Sequence, residues 1–288
     1  MVIDLKEKSG LGLKLDADRP ELVFDKDLEF SQPAIRTIDQ MKEVLLDKNI
    51  HNPRELYYMY RDIHRFSDQS ILEEYKLRYD VTVIKPFCLG EEFMKTAGHY
   101  HSGDFGELYE VVYGRCFCLL QRPSSGDWRV IEEVIFVEAV AGQKIVIPPG
   151  FGHILINPGP DYLVTSNWVS RGFESRYELY KKAGGAAYFV VSEAELLPTS
   201  IQPQGCLRGL RAVPSGVTAE QKRRIGIKFI KNTHFKEVAN ISFVQPAKQI
   251  KRFGLIEGSP IYNLINNPKA LDFLNHPLDY EYKDVFVK

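Results

Sequence analysis

Residues 95–114 read KTAGHYHSGDFGELYEVVYG, and the fold turns on this stretch. Side chains alternate faces along an extended strand, so His99 and His101 project to the same side, about 7 Å apart at Cα. Between His101 and Glu107 lies SGDFG, whose two glycines and aspartate read as a hairpin turn returning Glu107 to the histidines on the next strand. Two imidazoles and a hard carboxylate oxygen on one face suit a single divalent metal. A second stretch, GQKIVIPPGFGHILIN at 142–157, runs as a strand into a Pro-Gly turn and re-enters, delivering His153 as a fourth ligand. Three histidines and one glutamate leave open positions on a six-coordinate ion, the arrangement of a Lewis acid or redox centre rather than a closed structural site.

Outward from these segments the chain is rich in short β-forming runs. LYYMYR, YDVTVIKPF, CFCLLQR, WRVIEEVIFVEA and YLVTSNWV join the two segments between residues 56 and 192, separated by turn chemistry such as PSSGD and NPGPD. That spacing predicts an antiparallel sandwich or barrel rather than alternating β and α units. Upstream, residues 34–49 place Ile38, Met41, Val44 and Leu45 at helical spacing behind Thr37 as N-cap. Downstream, 174–193 reads as a short helix ending near Gly184 and Gly185 followed by a returning strand, and 266–276 as a terminal helix with Pro268 in its first turn. Three parts are expected: a helical or irregular N-terminal segment (1–55) packed on the barrel, a metal-binding catalytic domain (56–195), and a C-terminal extension (196–288).

The 288 residues carry 37 Lys and Arg against 38 Asp and Glu, so no general field exists for gripping nucleic acid or an anionic membrane. The N-terminus lacks a signal-peptide h-region and no stretch is apolar for long enough to span a bilayer, which predicts a cytoplasmic protein without nucleic-acid or membrane partners. Cys88, Cys116, Cys118 and Cys206 form no C-x-x-C pair and read as buried free thiols. His51, His64, His234 and His276 have no partners at ligand spacing and receive no role.

Together the two segments resemble the paired motifs of the cupin superfamily, which implies a mainly β fold: a double-stranded β-helix, or jelly-roll, barrel. The phrases KTAGHYHSGDFGELYEVVYG and VIPPGFGHILIN are similar to those of the cupin-type glucose-6-phosphate isomerases, over roughly residues 56–195, and PIYNLINNPKALDFLNHP resembles the tail of longer members. The resemblance implies an aldose-ketose isomerase interconverting glucose 6-phosphate and fructose 6-phosphate, commonly a homodimer. It places the ligands of one divalent ion per chain (Fe, Mn, Ni, Zn or Co) on His99, His101, Glu107 and His153, with Glu107 also a catalytic base. Phosphate contacts fall on Thr82, Thr96 and Gly98, and sugar-lining tyrosines on Tyr109, Tyr177 and Tyr57. The chain departs from the archaeal pattern at Gly150, where an aromatic is usual, and at Ser175, where a histidine is usual; Arg171 and Arg176 are the nearby candidates to reach the phosphate instead. Two other functions fit the same ligands: an Fe(II) dioxygenase, and a sugar-phosphate-binding cupin without catalysis.

Overall fold

Eight strands pair as a palindrome. In the computed structural model, which describes residues 1–192 and 226–288, two outer strands precede them: β1 (Ala34–Thr37) and β2 (Glu55–Tyr60). Then follow β3 (Leu77–Ile84), β4 (Glu92–Lys95), β5 (Glu107–Tyr113), β6 (Arg115–Pro123), β7 (Val130–Val140), β8 (Lys144–Ile147), β9 (Gly152–Asn157) and β10 (Leu163–Ser170). β6 pairs with β7, β5 with β8, β4 with β9 and β3 with β10, all antiparallel. This nesting is one long hairpin wound into a double-stranded helix, the jelly-roll that the cupin resemblance implies and a form of the barrel expected from the turn spacing. Further pairing of β5 with β10 and of β6 with β9 closes the two facing sheets.

The sheet ordered β8-β5-β10-β3-β2-β1 is apolar on both faces but carries Asp80, Thr82, Glu107 and Asn167 on the inner one. Registers Glu107↔Val169↔Arg78 and Tyr109↔Asn167↔Asp80 put these side chains, with Thr82, on the face turned to the barrel interior. Its other face carries Tyr79, Val81, Val83, Leu108, Val164 and Trp168, which pack with Leu11, Leu13, Ile261, Tyr262 and Phe273 from the two ends of the chain. A covered outer face explains why β3 is buried along almost all of its length and shows no polar alternation outward.

Two buried ion pairs attach the flanking segments. Lys95 Nζ lies 2.5 Å from Glu92 Oε1 and donates to the Val44 carbonyl (2.8 Å), while Leu46 N–H donates to Glu92 Oε2 (3.2 Å). These bonds take the backbone groups that would prolong a helix across 34–49. The helix is accordingly only Ile38–Met41, with a 3-10 turn over Lys42–Val44. Thr37 caps it as expected, in a capping box with Gln40, but Ala34–Thr37 is an edge strand on β2, because the residues before a cap lie outside the helix it starts. On the opposite side, Lys144 Nζ lies 2.9 Å from Glu110 Oε1, and Ile261 N–H donates to Glu110 Oε2 (2.9 Å). Trp168 Nε1–H reaches the Ile261 carbonyl (2.9 Å).

Within 226–288, Ile227–Lys231 extends the second sheet beside Tyr188–Ser192, and Ile241–Pro246 runs parallel to β7. The expected helix at 266–276 is a 3-10 segment, Pro268–Leu274, between Ile261–Asn266 and Pro277–Asp279. Pro268 and Pro277 each lack an amide hydrogen and restart the chain, so no α-helix continues through them. The helix before Gly184 spans Glu178–Lys182. Cys116 and Cys118 are free and enclosed, but Cys88, partly exposed at the barrel edge, is disulfide-bonded, against the expectation of a free thiol. Cys206 and the expected boundary near residue 195 lie outside the described residues.

Burial pushes the Glu110 carboxyl up to about 7, with Lys144 and the Ile261 amide pulling the other way. A raised folded-state value means that the native state holds a proton the unfolded chain releases. The contribution of Glu110 is therefore fully present below about 4.5 and is lost as pH rises through about 7. Lys144→Met should destabilise the protein by roughly 3–5 kcal/mol near neutral pH by stranding the carboxylate, whereas Glu110→Gln with Lys144→Met should cost far less. Chemical denaturation between pH 4.5 and 7 checks both points: the gap between wild type and the double variant should shift with pH toward the double variant.

Candidate metal centre and pocket

The two histidine segments meet through their backbones. His99 N–H donates to the His153 carbonyl (3.3 Å) and His153 N–H to the His99 carbonyl (3.1 Å), an isolated antiparallel bridge across the barrel mouth. Tyr100–His101 then pairs with Ser175–Arg176 rather than with β5. Residues 102–106 are therefore a loop between different sheet partners, not the hairpin expected from SGDFG. Gly103 and Asp104 do form a turn, but the partner of each strand is set by the barrel, not by the loop. His101 Nδ1–H donates to the Phe105 carbonyl within that loop (2.8 Å), which leaves Nε2 with its lone pair toward the interior.

Ligand atoms of His99, His101, Glu107 and His153 all lie within 4.8 Å of one another. Glu107 Oε2 is 3.2 Å from both His101 Nε2 and His153 Nε2, and Glu107 Oε1 accepts from Asn167 Nδ2 at 2.7 Å. Burial works to raise the Glu107 carboxyl, but its contacts with the His101 and His153 rings hold it well below the usual carboxylate range. Burial first, then the neighbouring imidazoles, depress His99 and His153 below the usual histidine value, so both rings are neutral and able to coordinate. His99 Nε2 is fully buried with no hydrogen-bond partner among the described residues. An orphaned imidazole nitrogen aimed at two more imidazoles and a carboxylate is the donor set that a divalent cation satisfies.

Above the cluster a pocket encloses about 480 Å³, counting its open mouth. Of the residues singled out from sequence, Tyr57, Thr82, Thr96, Gly98, His99, Glu107, Tyr109 and Tyr177 all line it. Thr96 Oγ1 accepts from the Leu155 amide (3.0 Å), which frees its own hydrogen for the pocket, and the Tyr57 hydroxyl likewise accepts from the Ala97 amide (3.2 Å). Gly98 has φ +76°, and a Cβ there would come within 2.4 Å of Ile154 and 2.6 Å of Tyr180, so no side chain fits at this position. Tyr109 sits lower than a simple wall residue: its hydroxyl lies 3.2 Å from His153 Nε2.

Several site groups carry no signal in the sequence. Arg61, just after β2, and Asn167, on β10, reach the pocket from outside either motif, and Phe173 packs over the His/Glu cluster, its ring centroid 4.6 Å from that of His101. Register with β3 and β5 alone identifies Asn167. Arg171 does not reach the pocket; it makes a bidentate pair with Asp62 (2.9 and 2.6 Å). Arg176 is exposed, while Ser175 lines the wall and Gly150 faces open space.

Residues 36–204 match the family model described as "Glucose-6-phosphate isomerase (GPI)". The glucose-6-phosphate isomerase of Thermococcus litoralis is 28% identical over 161 residues, covering 54% of this chain and 75% of that one. That of Pyrococcus furiosus is 31% identical over 164 residues, again 54% and 75%. Among solved structures, vicilin from Corylus avellana aligns with 46% of this chain and 34% of its own at 18% identity and TM-score 0.33, a likeness too slight to argue from. Among the described residues no helix is long and apolar enough to cross a membrane. The family match spans more than half of the chain and agrees with the relatives in sequence, so the protein belongs to the glucose-6-phosphate isomerase family.

Proposed function

We propose that this chain is a metal-dependent aldose-ketose isomerase that interconverts glucose 6-phosphate and fructose 6-phosphate. The observation that carries the reading is the placement of four ligand atoms within 4.8 Å of one another beneath a pocket lined by Thr82, Thr96 and Gly98. His99, His101, Glu107 and His153 would hold one divalent cation, which supplies Lewis acidity toward O1 and O2 of an open-chain sugar. At the other wall the hydroxyls of Thr82 and Thr96 and the amide of Gly98 donate to the phosphoryl oxygens, a small concave set of donors that needs no P-loop. Tyr57, Tyr109 and Tyr177 line the space between. Glu107 turns Oε2 to the two imidazoles, and Asn167 occupies one lone pair of Oε1; the second lone pair is the site at which hydrogen moves between C1 and C2.

Four sets of variants test this. His99→Ala should lose metal by elemental analysis and lose turnover, with the barrel still folded by far-UV circular dichroism, because an open catalytic site is not the fold's main support; full metal content in that variant would reject the ligand assignment. Thr82→Val and Thr96→Val should mainly raise KM for fructose 6-phosphate, each removing a hydroxyl donor to a charged group worth about 1–3 kcal/mol. Asn167→Ala should weaken metal affinity or activity about 10–100-fold by freeing the carboxylate it orients. At saturating metal, Glu107→Gln should still be down roughly 10²–10⁴-fold in kcat. A near-normal kcat there, with no solvent deuterium at C1 or C2, would favour a hydride shift over proton transfer through Glu107.

A further inference from the structure

Asp80 is fully buried on the inner face of β3 and is answered by two guanidinium groups. Arg78 Nε and Nη2 approach it at 3.0 and 2.9 Å, Arg61 Nη1 at 2.6 Å, and the Asp62 amide donates to it at 3.0 Å. One carboxylate faces two cations, so the cluster carries one surplus positive charge. The neighbouring Asp62 does not absorb it, because that carboxylate is held by the bidentate pair with Arg171. Arg78 already gives Asp80 a forked partner and also lies 5.6 Å from the centroid of Phe173, so it is fixed on both sides. The surplus therefore resides on Arg61.

Arg61 lines the pocket, and its side chain is 39% exposed. Beyond Asp80 its only other acceptor among the described residues is the weak thioether of Met59, 3.4 Å from Nη2. Of its five N–H donors the rest have no protein partner among those residues. Met59 is the register partner of Thr82, so the guanidinium ends beside the row of the sheet that bears Thr82. Thr82, Thr96, Gly98 and Tyr57 are all neutral donors, and Arg36, which stacks against Tyr57 and Tyr177 (5.9 and 5.2 Å), does not line the cavity. A phosphoryl dianion drawn into this pocket would meet a carboxylate, Glu107, at one end and uncharged donors at the other, apart from Arg61.

We infer that Arg61 is a direct charge-bearing contact for the substrate's phosphoryl group, and that Asp80 is the positioning residue that holds its fork toward the pocket. The substrate rests on the isomerase reading above; the anion chemistry does not. A guanidinium suits the task because its planar donors match phosphate oxygens in pairs, and one edge can stay on Asp80 while another meets the ligand. Asp80 supplies rigidity, so less side-chain freedom is lost when the phosphate binds.

The experiment uses the full chain loaded with metal. Arg61→Gln should raise KM for fructose 6-phosphate about 10–100-fold while kcat stays within about threefold, the loss expected for one charged hydrogen bond. Calorimetric titration with inorganic phosphate should show the same factor in Kd. Arg61→Lys, which keeps a cation beside Asp80, should fall between the two, and Arg61→Gln with Asp80→Asn keeps the cluster free of a stranded carboxylate if the single variant is unstable. A fall in kcat with KM and the phosphate Kd unchanged would overturn the inference, because Arg61 would then act through Asp80 on the reacting end. An unchanged KM and Kd in folded Arg61→Gln would overturn it outright, leaving the isomerase reading intact. Should wild type bind phosphate and Arg61→Gln bind it 10–100-fold less without any isomerase turnover in either, the anion contact stands and the isomerase reading falls.

Discussion

The reciprocal hydrogen bonds between His99 and His153 are the constraint on which the site depends. One histidine follows β4 and the other lies within β9, strands that pair by the nested winding of the barrel and are separated by more than fifty residues in sequence. A register error of one residue here would turn one imidazole to the opposite face. The winding of the eight strands therefore sets the distance between the two motifs, and the backbone bridge locks it. The other members of the cluster hang on the same frame: His101 through its loop carbonyl at Phe105, and Glu107 through Asn167 on the neighbouring strand β10.

A polar barrel interior has an energetic consequence for the rest of the chain. The sheet that bears Glu107, Asp80, Thr82 and Asn167 cannot rely on its inner face alone for a dry core, although Val111, Ile145 and Ile147 face inward, and a second set of its apolar side chains points outward. That face needs a cover, and the two ends of the chain provide it. Burying Tyr79, Val81, Val83 and Trp168 against Leu11, Leu13, Tyr262 and Phe273 contributes on the order of 1.5–3 kcal/mol for each large side chain enclosed. The Glu110–Lys144 pair adds specificity to these contacts, and the Glu92–Lys95 pair to the docking of residues 44–46, more than strength, since an ion pair taken from water recovers little net energy. Each has a backbone amide of the covering segment as an extra partner, which fixes where that segment docks.

Charge is distributed along the pocket in a similarly economical way. Glu107 is anionic beneath neutral imidazoles, and the Arg61–Asp80–Arg78 cluster is cationic overall on the facing strands. Both charges are buried or half-buried, where screening is weak and position matters most. Phe173, packed over His99 and His101, limits water access to the cluster without contributing charge.

Period and turn chemistry alone were enough to read the β-rich body, since each of its main runs alternates or is continuously apolar between Gly- and Pro-containing turns. The members of the His/Glu cluster were legible for a related reason: H-x-H and the following glutamate lie at short spacing, the second histidine segment carries its own Pro-Gly turn, and short patterns survive in one dimension. Helix lengths were not legible at 34–49 or 266–276, because buried partners elsewhere in the chain and the proline restarts decide where those helices stop. Nor could SGDFG reveal its strand partners, since a turn specifies a reversal but not which strands the barrel brings alongside. Asp80 and Asn167 are ordinary strand residues in sequence, and Arg61 directly follows a strand; only cross-strand register sets Asp80 and Asn167 level with Tyr109 and one step from Glu107, and only the fold brings Arg61 to Asp80. The sequence by itself determined the fold class and the chemistry of the ligand set, both written in local spacing. Tertiary structure alone decided which distant polar side chains share the pocket, because that depends on how strands far apart in the chain lie side by side.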